Sequence, residues 1–80
     1  ADPFSYFVQA GAFRSADEAE SQRAKLALQG FDARVSEREQ SGRTVFRVRI
    51  GPLESREEAE RTQQKLAASK VDAALVRVQR

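Results

Sequence analysis

The feature that most constrains this chain is that its second half follows the plan of its first half, forty residues later. Residues 8–35, VQAGAFRSADEAESQRAKLALQGFDARV, align without a gap with residues 48–75, VRIGPLESREEAERTQQKLAASKVDAAL, and 11 of the 28 positions are identical. Each copy of such a repeat is expected to form one supersecondary unit. Two copies are too few for a solenoid, so we expect them to pack into one layered domain.

Each copy opens with the pattern of a half-buried β-strand. Apolar residues alternate with other residues over 6–10 in the first copy and over 46–50 in the second, and this period of two is typical of strands. A glycine follows each run, Gly11 or Gly51. Glycine adopts backbone conformations that other residues resist, so we expect the chain to leave the sheet at these two points.

A helix follows each strand. The motif Ser-x-x-Glu at 15–18 and at 55–58 is a capping box, in which serine and glutamate each satisfy a free N–H at the helix start. The pattern carries the helices to about Gln29 and Ser69, and Gly30 marks a C-terminal stop for the first. The apolar positions of each helix form a single stripe, so each helix should bury one side only.

Shorter strands at 33–35 and 73–75 complete the two copies. The polar segment 37–43, EREQSGR, is expected to form a solvated hairpin between the copies, and Gly42 permits its turn. The order β-α-β-β-α-β predicts an α+β fold of the split βαβ type, as in ferredoxin-like and RNP-like domains. We expect a four-stranded antiparallel sheet with both helices on one face. In the last strand, either Leu75 or Val76 could point inward.

The parity of the middle strands decides which side chains stay outside. If the set Tyr6, Val8, Ala10, Phe46, Val48 and Ile50 faces the helices, then Phe7, Gln9, Val45, Arg47 and Arg49 lie on the uncovered face. The opposite parity would bury two unpaired arginines, at a cost of several kcal/mol each. We therefore place Arg47 and Arg49 outside, and the rims of this face should carry Arg34, Arg43 and Arg77.

Composition excludes several kinds of chemistry. The chain has no cysteine and no histidine, which removes disulfides, thiolate nucleophiles, the commonest general base and the commonest metal ligands. We expect no metal, no cofactor and no enzymatic activity. A glycan-cleaving enzyme would need two carboxylates about 5–9 Å apart, and the predicted open face offers almost none.

The segments FVQAGAF (7–13), LALQGFDARV (26–35) and VRIGPLESREEAE (48–60) resemble the SPOR domain, a peptidoglycan-binding module of bacteria. The resemblance extends over residues 5–78 and is nearest to SPOR domains of cell-division proteins. It implies a single domain over 1–80, with 1–3 treated as a cloning remnant. It also implies binding to denuded glycan strands, which amidases have stripped of their stem peptides. Such strands mark the division septum.

The resemblance also implies the position of the glycan-binding site. The matching positions are Gln9, Ala12 and Arg47, where Ala12 stands in place of the serine of some relatives. Removal of the stem peptide frees a lactyl carboxylate, which an arginine fork can bind bidentately. We therefore expect the glycan to contact the open face, at the residues Phe7, Gln9, Ala12, Arg34, Val45, Arg47 and Arg49.

The resemblance also implies a location and a set of partners. We expect a monomeric domain in the periplasm at the septum, with a parent protein anchored in the inner membrane and no membrane contact by the domain itself. The rival interpretation is RNA binding, because RNA-recognition motifs share this topology. Their middle strands carry a dense aromatic signature, which the segment TVFRVRIG lacks. With a net charge of only +2, we expect no nucleic-acid partner.

Overall fold

The computed structural model describes residues 2–80, and the elements of this range follow the order β-α-β-β-α-β. They are β1 (Phe4–Phe13), α1 (Ala16–Leu28), β2 (Ala33–Gln40), β3 (Arg43–Leu53), α2 (Arg56–Ala68) and β4 (Ala74–Gln79). The strands form one antiparallel sheet in the order β2-β3-β1-β4. The predicted fold class is confirmed, and the first and third strands are the central pair.

The core lies between the sheet and the two helices and is built largely from residues forty positions apart. The fully buried large side chains are Val8, Leu26, Val48 and Leu66. The alanines Ala19 and Ala59 are also fully buried, and their small size lets each helix approach the sheet closely. Both helices thus cover the same sheet face, and the parity predicted for the central strands is confirmed.

The start of each helix is capped by a serine. Ser15 Oγ accepts a hydrogen bond of 3.2 Å from the Glu18 N–H, and Ser55 Oγ accepts one of 3.1 Å from the Glu58 N–H. This is only half of the predicted capping box, since within residues 2–80 neither glutamate side chain returns a bond to its serine. The caps still satisfy one free N–H per helix.

Both helices end in a Schellman motif. Gly30 (φ +91°) occupies the left-handed position after α1, and the Phe31 N–H donates to the Leu26 carbonyl over 2.9 Å. The prediction of Gly30 as the stop is confirmed. In α2 the equivalent position holds Lys70 at φ +62°, followed by Val71, whose N–H closes the motif in the same way. A lysine in this region carries backbone strain that glycine avoids.

The hairpin between β2 and β3 is longer and more regular than predicted. β2 continues to Gln40, and the turn consists of Ser41 (φ +52°) and Gly42 (φ +77°) alone. Positive φ at both central residues is typical of a type I′ turn, whose twist matches that of the flanking strands. The predicted hairpin with its turn at Gly42 is confirmed, and paired backbone holds the rest of the polar segment 37–43 as strand.

Gly11 and Gly51 do not end their strands, as the sequence suggested, but form bulges inside them. Between the β1–β3 pairs Gln9–Arg49 and Ala12–Arg47, β1 carries one extra residue. A second shift in the same ladder gives β3 one extra residue around Gly51, where φ is +135°. An extra residue reverses the alternation of the side chains beyond it.

The residues before β1 take part in the fold. The Asp2 carboxylate accepts hydrogen bonds from the Tyr6 hydroxyl (2.7 Å) and from the Phe4 N–H (2.9 Å). These bonds lower the pKa of Asp2, with the tyrosine as the larger cause. Residues 1–3 were expected to be a cloning remnant, yet Asp2 satisfies the hydroxyl of a buried core tyrosine.

Candidate functional site

The sheet face opposite the helices, called the open face, collects the site residues predicted from the sequence. Adjacent strands in the order β2-β3-β1-β4 place Arg34, Arg49, Gln9 and Ala74 in one row across it. The next row toward the hairpin contains Ser36, Arg47 and Ala12. Directly opposed residues share a sheet face. The seven predicted site residues are therefore brought together on one surface.

Ala12 reaches this face only because of the Gly11 bulge. Simple alternation from Gln9 would turn Ala12 toward the helices. The extra residue reverses the parity, so Ala12 pairs with Arg47 and the following Phe13 packs against the core. The bulge thus keeps Ala12 on the binding side and adds Phe13 to the core.

Phe7 and Arg49 form a stacked pair at the centre of the open face. The Arg49 guanidinium carbon lies 4.0 Å from the centroid of the Phe7 ring, which is cation–π geometry. Burial lowers the pKa of Arg49 below its ordinary value, and the charges of Arg47 and Arg38 lower it further. The guanidinium is thus partly desolvated among other cations, an environment that an anion would relieve.

Arg47 and Ser36 are neighbours whose polar atoms have no partner. They oppose each other across β2 and β3, and both are half-buried. The Nε atom of Arg47 and the Oγ atom of Ser36 are inaccessible to solvent and make no hydrogen bond. A buried unsatisfied donor is costly. The pair therefore leaves a guanidinium group and a hydroxyl without internal partners in the middle of the open face.

The positive charge of the open face is not balanced by carboxylates on the same face. The strand positions that point to it carry five arginines and no carboxylate, namely Arg34, Arg38, Arg43, Arg47 and Arg49. The ion pairs found among residues 2–80 join Glu20 with Arg23 and Glu60 with Arg56, each within a helix. The open face is therefore strongly positive although the whole chain carries only +2.

The β4 side of the open face is apolar instead. Leu75 pairs with Val8 and points to the core, so Val76 lies outward beside Phe7, and Val78 lies outward at 42% exposure. This resolves the parity that the sequence left open. Arg77 takes the helix-side parity and stacks on Phe4 at 4.2 Å, so it does not belong to the rim of the open face, contrary to expectation.

Five residues of this surface were not among the sequence-predicted site residues: Ser36, Arg38, Arg43, Val76 and Val78. All five lie on segments whose extent or parity the sequence left undecided. The pattern of 34, 36 and 38 along an extended β2 was the signal that could have found the first two.

Other kinds of site find no support in the described part of the chain. No group of three or more acidic side chains in residues 2–80 could hold a metal ion. Over the same range, neither helix has the length and apolar character that crossing a bilayer requires. An open, cationic sheet face with an apolar side is suited to binding a ligand that carries both negative charges and apolar surface.

The fold and this surface define a small binding module, and comparison with known proteins identifies its family. The family model of the SPOR domain matches residues 2–77, so the chain belongs to the SPOR family. The structure is also similar to the crystal structure of the RlpA SPOR domain from Pseudomonas aeruginosa. That match has a TM-score of 0.75 and 32% sequence identity, and it covers 91% of this chain and 99% of the other.

SPOR domains are peptidoglycan-binding modules without catalytic activity. The expectations of family membership and of a non-enzymatic binding domain are confirmed. The family is associated with peptidoglycan in the periplasm and at the septum.

Proposed function

We propose that the open face binds peptidoglycan glycan strands from which the stem peptides have been removed. The observation that carries this proposal is the half-buried Arg47, whose Nε lacks a partner beside the equally unpartnered hydroxyl of Ser36. Stem-peptide removal leaves a lactyl carboxylate on each N-acetylmuramic acid. A guanidinium binds a carboxylate through two parallel charge-assisted hydrogen bonds.

The same geometry explains why a stem peptide would weaken binding. A peptide converts the lactyl carboxylate to an amide, which removes the charge that the five arginines attract. It also adds a bulky chain at the point where the sugar should approach the sheet. Gln9, with one amide oxygen and two N–H groups, suits the neutral acetamido and hydroxyl groups of the sugars.

The apolar side of the face suits the remaining chemistry of the glycan. Phe7, Val76 and Val78 lie together along β1 and β4, where they can pack against sugar ring faces and acetamido methyl groups. The ligand would then place carboxylates over the arginines and apolar surfaces over β1 and β4.

Binding to sacculi tests this function directly. We expect the domain to bind sacculi treated with an amidase much more strongly than untreated sacculi, and equal binding to both would refute the proposal. Arg47→Gln should weaken binding to the treated sacculi roughly 10- to 100-fold, since hydrogen bonds to charged groups contribute about 1.5–3 kcal/mol. Arg61→Gln, the same change at an exposed position of α2, is the matched control and should bind normally.

A consequence in cells is that the domain localises its parent protein to the septum, where denuded strands accumulate. We place the parent in the inner membrane with this domain in the periplasm. A fluorescent fusion exported to the periplasm should form a band at midcell, and Arg47→Gln should disperse it. A midcell band that survives this substitution would show that another feature directs localisation.

A further inference from the structure

The outer half of the β2–β3 hairpin extends beyond the helices. Glu37, Glu39 and Thr44 have the parity of the helix-covered side, yet all three are exposed. The strands remain paired without a register shift up to Gln40 and Arg43 at the turn. This part of the sheet, residues 37–45, is therefore a two-stranded ribbon that extends past β1 and the helices, and we call it the ribbon.

The ribbon has one basic face and one acidic face. Arg38 and Arg43 continue the open face, whereas Glu37 and Glu39 point to the opposite side. Successive side chains of a strand point to opposite faces, so the glutamates are held away from the arginines. Among the described residues neither arginine takes part in an ion pair, and the segregation leaves both charges available to a ligand.

The ribbon arginines continue the line of charge that starts at Arg47. Arg38 opposes Val45 and Arg43 opposes Gln40, so the rows at 47, 45 and 43 each present one guanidinium. Rows two residues apart are separated by about 7 Å, and Arg47 lies about 14 Å along β3 from Arg43. A long arginine side chain can shift its charge by several ångströms around these positions.

We propose that the glycan lies along the β2–β3 hairpin, with one lactyl carboxylate on Arg47 and the next carboxylate of the same strand on Arg38 and Arg43. This inference rests on the proposed function and adds to it a direction and a minimum ligand with two carboxylates. Crossing the sheet toward β4 would instead place the second carboxylate over Val76 and Val78, where no positive side chain points outward.

The test uses denuded glycan fragments with one or two lactyl carboxylates, and a two-unit fragment in which the carboxylates have been converted to amides. The wild-type domain should bind the two-carboxylate fragment about five- to tenfold more tightly than the one-carboxylate fragment, since two exposed ion pairs are gained. The amidated fragment should lose this advantage despite its equal length.

In the double variant R38Q/R43Q the affinities for the one-carboxylate and two-carboxylate fragments should agree within about twofold, because the second carboxylate no longer meets a guanidinium. E37Q/E39Q, on the opposite face of the same ribbon, is the matched control and should keep the gain. A gain that persists in R38Q/R43Q overturns the proposed direction while leaving the proposed function intact. Failure of R47Q to weaken binding of the one-carboxylate fragment overturns both.

Discussion

Gly51→Ala should be the most destabilising glycine substitution in this domain. Gly51 lies in the β3 bulge at φ +135°, a region that residues with a Cβ rarely adopt. A Cβ built there would lie 2.8 Å from the Tyr6 carbonyl oxygen, 2.9 Å from the Phe7 ring and 3.2 Å from the Leu53 N. Two of these three atoms belong to paired backbone of the central strands, so they cannot simply rotate away.

The expected cost follows from two contributions. Holding an alanine in a backbone region reserved for glycine costs about 1–3 kcal/mol, and forcing a methyl group into occupied space costs about 1–3 kcal/mol more. Together they reach about 2–6 kcal/mol. At roughly 0.05–0.15 kcal/mol per residue, a domain of this size has a total stability of about 4–12 kcal/mol. The substitution should therefore remove a large share of the free energy of unfolding.

Urea unfolding followed by far-ultraviolet circular dichroism measures this loss, and other glycines of the chain supply the controls. Gly42 has a positive φ of +77° with no heavy atom within 4 Å of the added Cβ, so Gly42→Ala should lose only the conformational part, about 1–2 kcal/mol. Gly11→Ala should fall between them, since its clash is with the ring of Phe13, a side chain that can turn. If Gly51→Ala costs no more than Gly42→Ala, the clash reasoning is refuted.

Two further predictions concern the ends of α2 and β1. Lys70→Gly should raise the free energy of unfolding by about 1 kcal/mol, because Lys70 holds φ +62° at a position where α1 uses glycine; an unchanged or lower melting temperature would contradict this. Asp2→Ala should be destabilising at neutral pH, because hydrogen bonds from Tyr6 and Phe4 lower the pKa of the carboxyl. A lowered pKa stabilises the fold above the ordinary value of 3.8, so the difference from wild type should shrink as acid titration passes below it. A difference that does not vary with pH would argue against the ionised carboxylate as its source.

The sequence predicted the scaffold well because the signals for it are local. Each signal lies within a few residues: the alternation in the central strands, the serine caps and the glycine stop. The forty-residue correspondence then allowed the elements predicted in one half to be compared with those in the other. The length of β2 was missed for a physical reason. Its segment SEREQ has no apolar alternation, because the ribbon has no covered face, and only pairing with β3 holds it extended.

The details of the site depended on contacts between strands, which a single sequence does not encode locally. The bulge at Gly11 decides the orientation of Ala12, and it is visible only as a register shift within the β1–β3 ladder. Ser36 became a site residue only when the register placed it opposite Arg47. Likewise, the choice between Leu75 and Val76 was settled by pairing with β1 and not by the strand's own pattern.

In their strands, the two halves of the chain carry equivalent residues where they face the core and different residues on the open face, and this division determines the ligand surface. Inward positions hold equivalent residues, such as Val8 and Val48, whereas the outward Phe7 of β1 corresponds to Arg47 of β3. The same holds for the edge strands, where outward positions are polar in β2 and apolar in β4. β3 neighbours β2, and β1 neighbours β4. The outward arginines therefore gather on the β2–β3 side of the sheet, and most of the outward apolar residues gather on the β1–β4 side. Packing constrains only the inward set, so two similar βαβ units can share one core and still present a face with a cationic side and an apolar side.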